Sequence, residues 1–150
     1  MTLIGVHDLI NTINEMLYRD INVTLFISSG GGCVTSTLLL YDYLNINNER
    51  IKIVGTNKLC SSATYLLFTK CKTYVLPSIY VLFHPMNFEF NDSQQAVNKR
   101  AAFYKHLIKT INNVYLTKNF KCNWQVRDYY LYSEDLVSKG IVEGIYKSNK

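Results

Sequence analysis

Proline and charge are both scarce in this sequence. Two prolines and seven glycines in 150 residues leave no Pro/Gly/Ser-rich linker, and no internal repeat is visible, so the chain reads as one domain. Charged residues make up only 18% and hydrophobic ones 48%, which excludes a disordered chain. No apolar run reaches the roughly 18 residues of a membrane span. The opening MTLIGVHDLI lacks the basic start and long apolar core of a secretory signal. Among the four cysteines, Cys33, Cys60, Cys71 and Cys122, there is no CxxC pair and no zinc-like spacing with histidine. Two of them lie in apolar runs and act as small buried residues. A reducing compartment fits, the cytoplasm or an organelle stroma or matrix.

Sixteen Lys and Arg against eleven Asp and Glu give a net charge of +5. The basic residues are scattered, densest at Lys99, Arg100, Lys105 and Lys109. That cluster reads as a solvated helix face rather than a nucleic-acid surface.

Hydrophobic periodicity supplies the order of elements. Leu9, Ile10, Ile13, Met16 and Leu17 fall at helical spacing, and residues 22–27 then read as a short buried strand. Three glycines, Gly30 to Gly32, precede a helical pattern over 34–44, and a second strand follows at 51–54. CSSATYLLF suits a buried helix, and TYVL and IYVLF are strand-like runs separated by a turn at Pro77-Ser78. Residues 92–118 hold a long, basic, amphipathic helix. Ser133 looks like an N-cap, Gly140 like a helix stop, and Ile141-Val142 like the start of a last strand. This alternation predicts an α/β layered fold with parallel strands. In such folds sites gather where strand carboxyl ends lead into helices. The glycine turn and the Cys60–Ser62 stretch are both such junctions, and are expected to be neighbours.

Ser61 sits where a strand passes into an apolar helix. An isolated serine there caps a helix more often than it attacks a substrate; the alternative is a nucleophile over a helix N-terminus that favours a developing oxyanion. A serine nucleophile needs a base. Of the three histidines, His7 lies near the chain start and His106 among charges. His84 ends the strand IYVLF, although a lone histidine there is more often packed or capping. A carboxylate must then fix the imidazole tautomer. Asp128, in VRDYYL, stands among apolar and aromatic residues, with Arg127 as an equally good explanation of its charge. Asp42, Asp92 and Asp135 have readier roles at the surface or in helix starts and turns. Glycine lets backbone N–H groups approach a tetrahedral oxygen. The alternative use of such a turn, cradling phosphate, lacks both GxxxxGK[ST] and GxGxxG.

Taken in order, these segments resemble the proteolytic subunit family of the ATP-dependent Clp protease (ClpP-like). FISSGGGCVTSTLLLYDYL is similar to that family's Ser-Pro-Gly-Gly turn and following Tyr-Asp helix. CSSATYLL resembles its nucleophile segment, YVLPSIYVLFHP its histidine strand, and VRDYYLYSEDLVSKGIVEGI its C-terminal part. The resemblance implies a ClpP/crotonase-like layered β-α-β superhelix with a protruding strand-helix handle over 87–118. It implies a serine endopeptidase with Ser61 as nucleophile, His84 as base and acid, and Asp128 as orienting carboxylate. The backbone N–H groups of Gly32 and Ser62 would form the oxyanion hole. No cofactor or metal is expected in the chain, ATP being used by a partner ATPase.

Implied partners are peptides or unfolded proteins and other subunits of a ring. The family's axial loops, which contact the AAA+ unfoldase, have no counterpart ahead of Met1, and this weakens the expectation of that partner. Nucleic acid and membrane are not expected partners. Gly30 stands where the family has proline, Ser62-Ala63 where it has Met-Gly, and Pro85 where it has Gln. Two alternatives stay open, a non-catalytic ring subunit and, further off, an acyl-CoA enzyme of the crotonase fold.

Overall fold

The computed structural model describes residues 1–86 and 94–147. Its spine is one long strand, β2 (Ile51–Cys60), six residues longer than the apolar run 51–54 suggests. The polar continuation GTNK hides the extension, yet Gly55 pairs with Ile27 and Val75, and Lys58 with Tyr80. β1 (Val23–Ser29) runs parallel to β2 from Val23↔Ile51 to Ser29↔Leu59, with an irregularity after Ile27. β3 (Lys72–Val75) pairs with the first half of β2 and β4 (Tyr80–Phe83) with the second, both parallel. The turn at Pro77-Ser78 therefore does not reverse the chain. It is a jog that carries the chain along the same neighbour, with Leu76 N–H donating to Gly55 O at 2.9 Å.

β5 (Tyr129–Tyr132) adds antiparallel to β4, and β6 (Gly144–Ile145) parallel to β3. The periodicity reading assigns no strand at β5, and it starts the last strand at 141, three residues early. Ile141 and Val142 are buried core residues but lie in the bend before β6. The mixed sheet flanked by helices is the α/β class read from the sequence.

α1 (Leu3–Tyr18) and α2 (Val34–Ile46) close one core over the amino half of the sheet. Val6, Ile13, Leu40, Leu44, Ile53 and Leu66 meet there. The second core is aromatic: Phe68, Phe83, Tyr115 and Phe120 pack with ring centroids 5.0–6.3 Å apart, a spacing at which edge-to-face pairs add to area burial. Tyr115 comes from α3 (Gln94–Leu116), the long amphipathic helix. Its apolar stripe divides. Leu107, Ile111 and Tyr115 are buried within the chain, whereas Phe103 is 50% exposed. The strand half of the expected handle, 87–93, lies outside the described residues.

α4 (Ser133–Ser138) ends as the sequence suggests. Gly140 has φ +65, and the Gly140 and Ile141 N–H groups donate to Val137 O and Leu136 O at 3.0 and 2.9 Å, the paired bonds of a Schellman stop. Its start differs. Tyr132 is the N-cap, the Asp135 carboxylate accepts the Tyr132 N–H at 3.0 Å, and Ser133 instead donates to Pro77 O at 2.9 Å.

Candidate active site

The CSSATYLLF helix is a 3-10 helix over Ser61–Phe68, tighter than an α-helix and unusually long for its kind. Ser61 opens it with φ +56, a left-handed conformation costly for a residue with a side chain. The turn lifts Ser61 into a partly exposed position, while Ser62 is fully buried. Two hydroxyls hold that conformation. Thr64 Oγ1 donates to Ser61 O at 2.7 Å, which uses its one proton. Tyr115 Oη, 2.9 Å away, must therefore be the donor to Thr64. Burial raises the Tyr115 pKa well above its ordinary value, so that proton stays in place. The base of α3 is thus wired to the Ser61 carbonyl. Neither Thr64 nor Tyr115 carries a sequence signature of this role.

The glycine turn lies against Ser61, as expected. A Cβ on Gly31 would fall 2.7 Å from both Cys60 O and Ser61 Cβ, at φ +97, so only glycine allows the approach. Ser62 Oγ lies 3.3 Å from Gly32 O, to which it donates, and 3.1 Å from Thr37 Oγ1. The Thr37 hydroxyl also lies 3.0 Å from Cys33 O. These bonds clamp the turn to the start of the 3-10 helix and tie the Ser62 hydroxyl down. The Gly31 N–H donates to Ser29 Oγ and the Cys33 N–H to Met1 O, both at 3.1 Å. The Met1 amino group donates to Gly31 O. Among the described residues none accepts from the Gly32 N–H between them, and the first N–H groups of a helix lack intrahelical acceptors.

The sheet brings the other candidates to the same end. Cys60 pairs with Leu82, so Ser61 follows directly at the carboxyl end of β2, beside β4. Phe83 pairs with Tyr129 across the antiparallel β4–β5 ladder. His84 follows Phe83 and Asp128 precedes Tyr129, so each lies one residue beyond this last pair of the ladder. The side chains are not joined. Among the described residues, the contact of His84 Nδ1 is the Pro85 carbonyl oxygen, at 2.7 Å, with no hydrogen bond from the ring to Ser61 or Asp128. A carbonyl only accepts, so Nδ1 is the donor in this contact, and Nε2 is the ring nitrogen left for any other partner.

Two readings of single residues are corrected. Asp128 is exposed rather than set among apolar side chains, because its aromatic neighbours Tyr129 and Tyr130 alternate in strand β5 while it stands just outside. Among the described residues no ion pair joins it to Arg127, which is also exposed. His7 and His106 are exposed on α1 and α3, away from these strand ends. A further group of basic residues lies apart from Lys99, Arg100, Lys105 and Lys109 on α3. Arg50, Lys52, Lys70 and Lys72 line a cavity of about 380 Å³ at the amino ends of β2 and β3. Among the described residues, no group of three or more His, Cys, Asp or Glu side chains converges, and no helix is long and apolar enough to cross a membrane.

A serine in a left-handed turn over a helix start, a glycine turn packed on it and a histidine just past the end of the adjoining strand meet at one end of the α/β sheet. The family model for Clp protease matches residues 9–149, and the chain belongs to that family. It is similar to the ATP-dependent Clp protease proteolytic subunit 1 of Leifsonia xyli subsp. xyli, 26% identical over 134 residues, 85% of this chain and 68% of that protein. Subunit 2 of Nocardia farcinica is 24% identical over 131 residues, 83% of this chain and 64% of that protein. Subunit 2 of Tropheryma whipplei is also 24% identical over 131 residues, covering 73% of its length.

Proposed function

We infer that the chain is a subunit of a Clp-type serine endopeptidase that hydrolyses peptide bonds within an oligomeric chamber. The observation that carries this reading is the strand order β5-β4-β2, which sets the ends bearing Asp128, His84 and Ser61 side by side.

In this reading Ser61 Oγ attacks the scissile carbonyl carbon and its proton passes to His84 Nε2. The oxyanion is met by the N–H groups of Gly32 and Ser62. The imidazolium then protonates the leaving amine, and water repeats the sequence on the acyl-enzyme. Asp128, at the adjoining strand end, stabilises the imidazolium, and the Pro85 carbonyl keeps the proton on Nδ1. No step calls for a cofactor; ATP belongs to a partner ATPase of the unfoldase class. Substrates are peptides or unfolded chains, partners are further subunits joined through α3, and the compartment is cytoplasm, stroma or matrix.

A second reading, a non-catalytic ring subunit, is favoured by one observation: His84 bonds its neighbour's carbonyl and neither Ser61 nor Asp128. Fluorophosphonate labelling of the purified protein, followed by peptide mapping, separates the two. An adduct on Ser61 supports the peptidase; an adduct on Ser62, or none, overturns it.

A further inference from the structure

The glycine turn ends in a feature that peptide hydrolysis does not use. Cys33 is the N-cap of α2, a helix of 13 residues, and it is exposed. Its sulfur lies 3.2 Å from Thr35 Oγ1. Three residues on, in the first turn of α2, is Ser36, 1% exposed, whose hydroxyl has no hydrogen-bond partner among the described residues. A buried hydroxyl without an acceptor is costly. A thiolate at Cys33 is a far stronger acceptor than the neutral thiol, and the α2 N–H groups of Thr35 and Ser36 add to it. The Ser36 and Thr35 hydroxyls, in that order, lower the thiol pKa from 9.0 to about 7, and no charged side chain is among the groups acting on it. The other cysteines contrast with this one. Cys60 and Cys71 are buried and Cys122 is half-buried, and burial raises the pKa of both Cys71 and Cys122.

We propose that Cys33 is a thiol-modification site that takes low-molecular-weight disulfides of the glutathione type, and that the adduct closes the approach to Ser61. The gating half rests on the peptidase reading above; the modification itself does not. The Cys33 thiolate attacks one sulfur of the disulfide. A Cys33–S–S bond forms, the original S–S bond breaks, and the released thiolate takes a proton from water. Cys33 is oxidised and one equivalent of the small thiol is reduced, so no further oxidant is needed. The location gives the exchange its effect. Cys33 directly follows Gly32, and Gly31 packs on Ser61. A bound tripeptide reaches about 10 Å, ample to cover a serine packed on Gly31, two residues before the anchor.

The test treats the full chain with oxidised glutathione at neutral pH, maps the adduct by mass, and follows fluorophosphonate labelling before and after. Iodoacetamide rates against pH give an independent readout. The expected result is an adduct on Cys33 at least tenfold above any other cysteine, with alkylation half-maximal near pH 7. Fluorophosphonate labelling should fall tenfold or more, return with dithiothreitol, and be unaffected by glutathione in Cys33→Ser. An adduct on other cysteines only, or alkylation that rises only near pH 9, overturns the modification site. A Cys33 adduct with unchanged labelling overturns the gating. If the untreated protein takes no fluorophosphonate, the peptidase reading falls and the gating with it, while adduct mapping still decides the thiol.

Discussion

The serine side of the candidate site and its histidine side are held in different ways. Gly31, Gly32, Ser61 and Ser62 belong to one bonded unit, in which Thr37, Thr64 and Tyr115 tie three helices and a turn together through buried hydroxyls. His84 is held by the carbonyl of the next residue, and Asp128 stands exposed, one residue beyond the last β4–β5 pair. The glycine turn and the strained serine are therefore built into the core, where a hydroxyl network with fixed geometry resists displacement. The histidine and the aspartate lie at adjoining strand ends but are not locked together. Catalytic hydrogen bonds are often completed only when a site is occupied or assembled, and the two halves can fail separately.

The sharpest break is on the serine side. Ser61→Ala should abolish fluorophosphonate labelling, whereas Ser62→Ala should still label. Ser62→Ala removes a buried hydroxyl bonded to Gly32 O and near Thr37, and should lower unfolding stability by about 1 kcal/mol. Labelling with peptide mapping and urea denaturation check the pair. Labelling that survives Ser61→Ala would reverse the assignment of the two serines.

On the histidine side, Asp128→Asn should lower peptidase turnover by roughly 10³–10⁴-fold, as loss of the orienting carboxylate does in serine proteases. The melting temperature should stay unchanged, because the side chain is exposed and has no ion pair with Arg127. A normal turnover would mean that the Pro85 carbonyl suffices to hold the tautomer. A fall in stability would mean that Asp128 is structural.

Gly31→Ala is milder than either. The added methyl would meet Cys60 O and Ser61 Cβ at 2.7 Å with φ at +97, a strain of about 1–3 kcal/mol. It should slow labelling of Ser61 tenfold or more while leaving the iodoacetamide profile of Cys33 in place. Slowed labelling with unaltered stability would show that the turn acts on the nucleophile and not on the fold.

These contrasts follow what the sequence made legible. Periodicity placed α1, α2 and α3 and the first halves of the strands, since apolar side chains there face a core. β5 was hidden because YYLY alternates aromatic residues between a buried and a solvent face, and its pairing partner lies 46 positions away at Phe83↔Tyr129. The polar end of β2 was hidden for a related reason: its ladder bonds are made by backbone, which composition does not report. At the site, Gly31 was readable because a close approach demands glycine. The exposure of Asp128 and the Pro85 contact of His84 depend on loop paths that no local pattern specifies. Thr64 and Tyr115 lie 51 positions apart, and nothing in either segment announces the bond.

That bond gives the smallest and most discriminating expectation. Tyr115→Phe keeps the ring, and so keeps the edge-to-face contacts with Phe68 and Phe83 at 5.0 and 5.3 Å. What it removes is the hydrogen donated to Thr64 Oγ1, which is buried. Thr64 still donates to Ser61 O at 2.7 Å, but its own oxygen is left without a donor inside the core. The expected cost is about 1 kcal/mol in urea unfolding, with fluorophosphonate labelling of Ser61 slowed a few-fold. Thr64→Val, which removes both bonds of the chain, should slow labelling more than Tyr115→Phe at a similar loss of stability. If the two variants lose stability but label at the native rate, the hydroxyl chain serves packing alone, and the left-handed turn at Ser61 is held by the glycine side of the site.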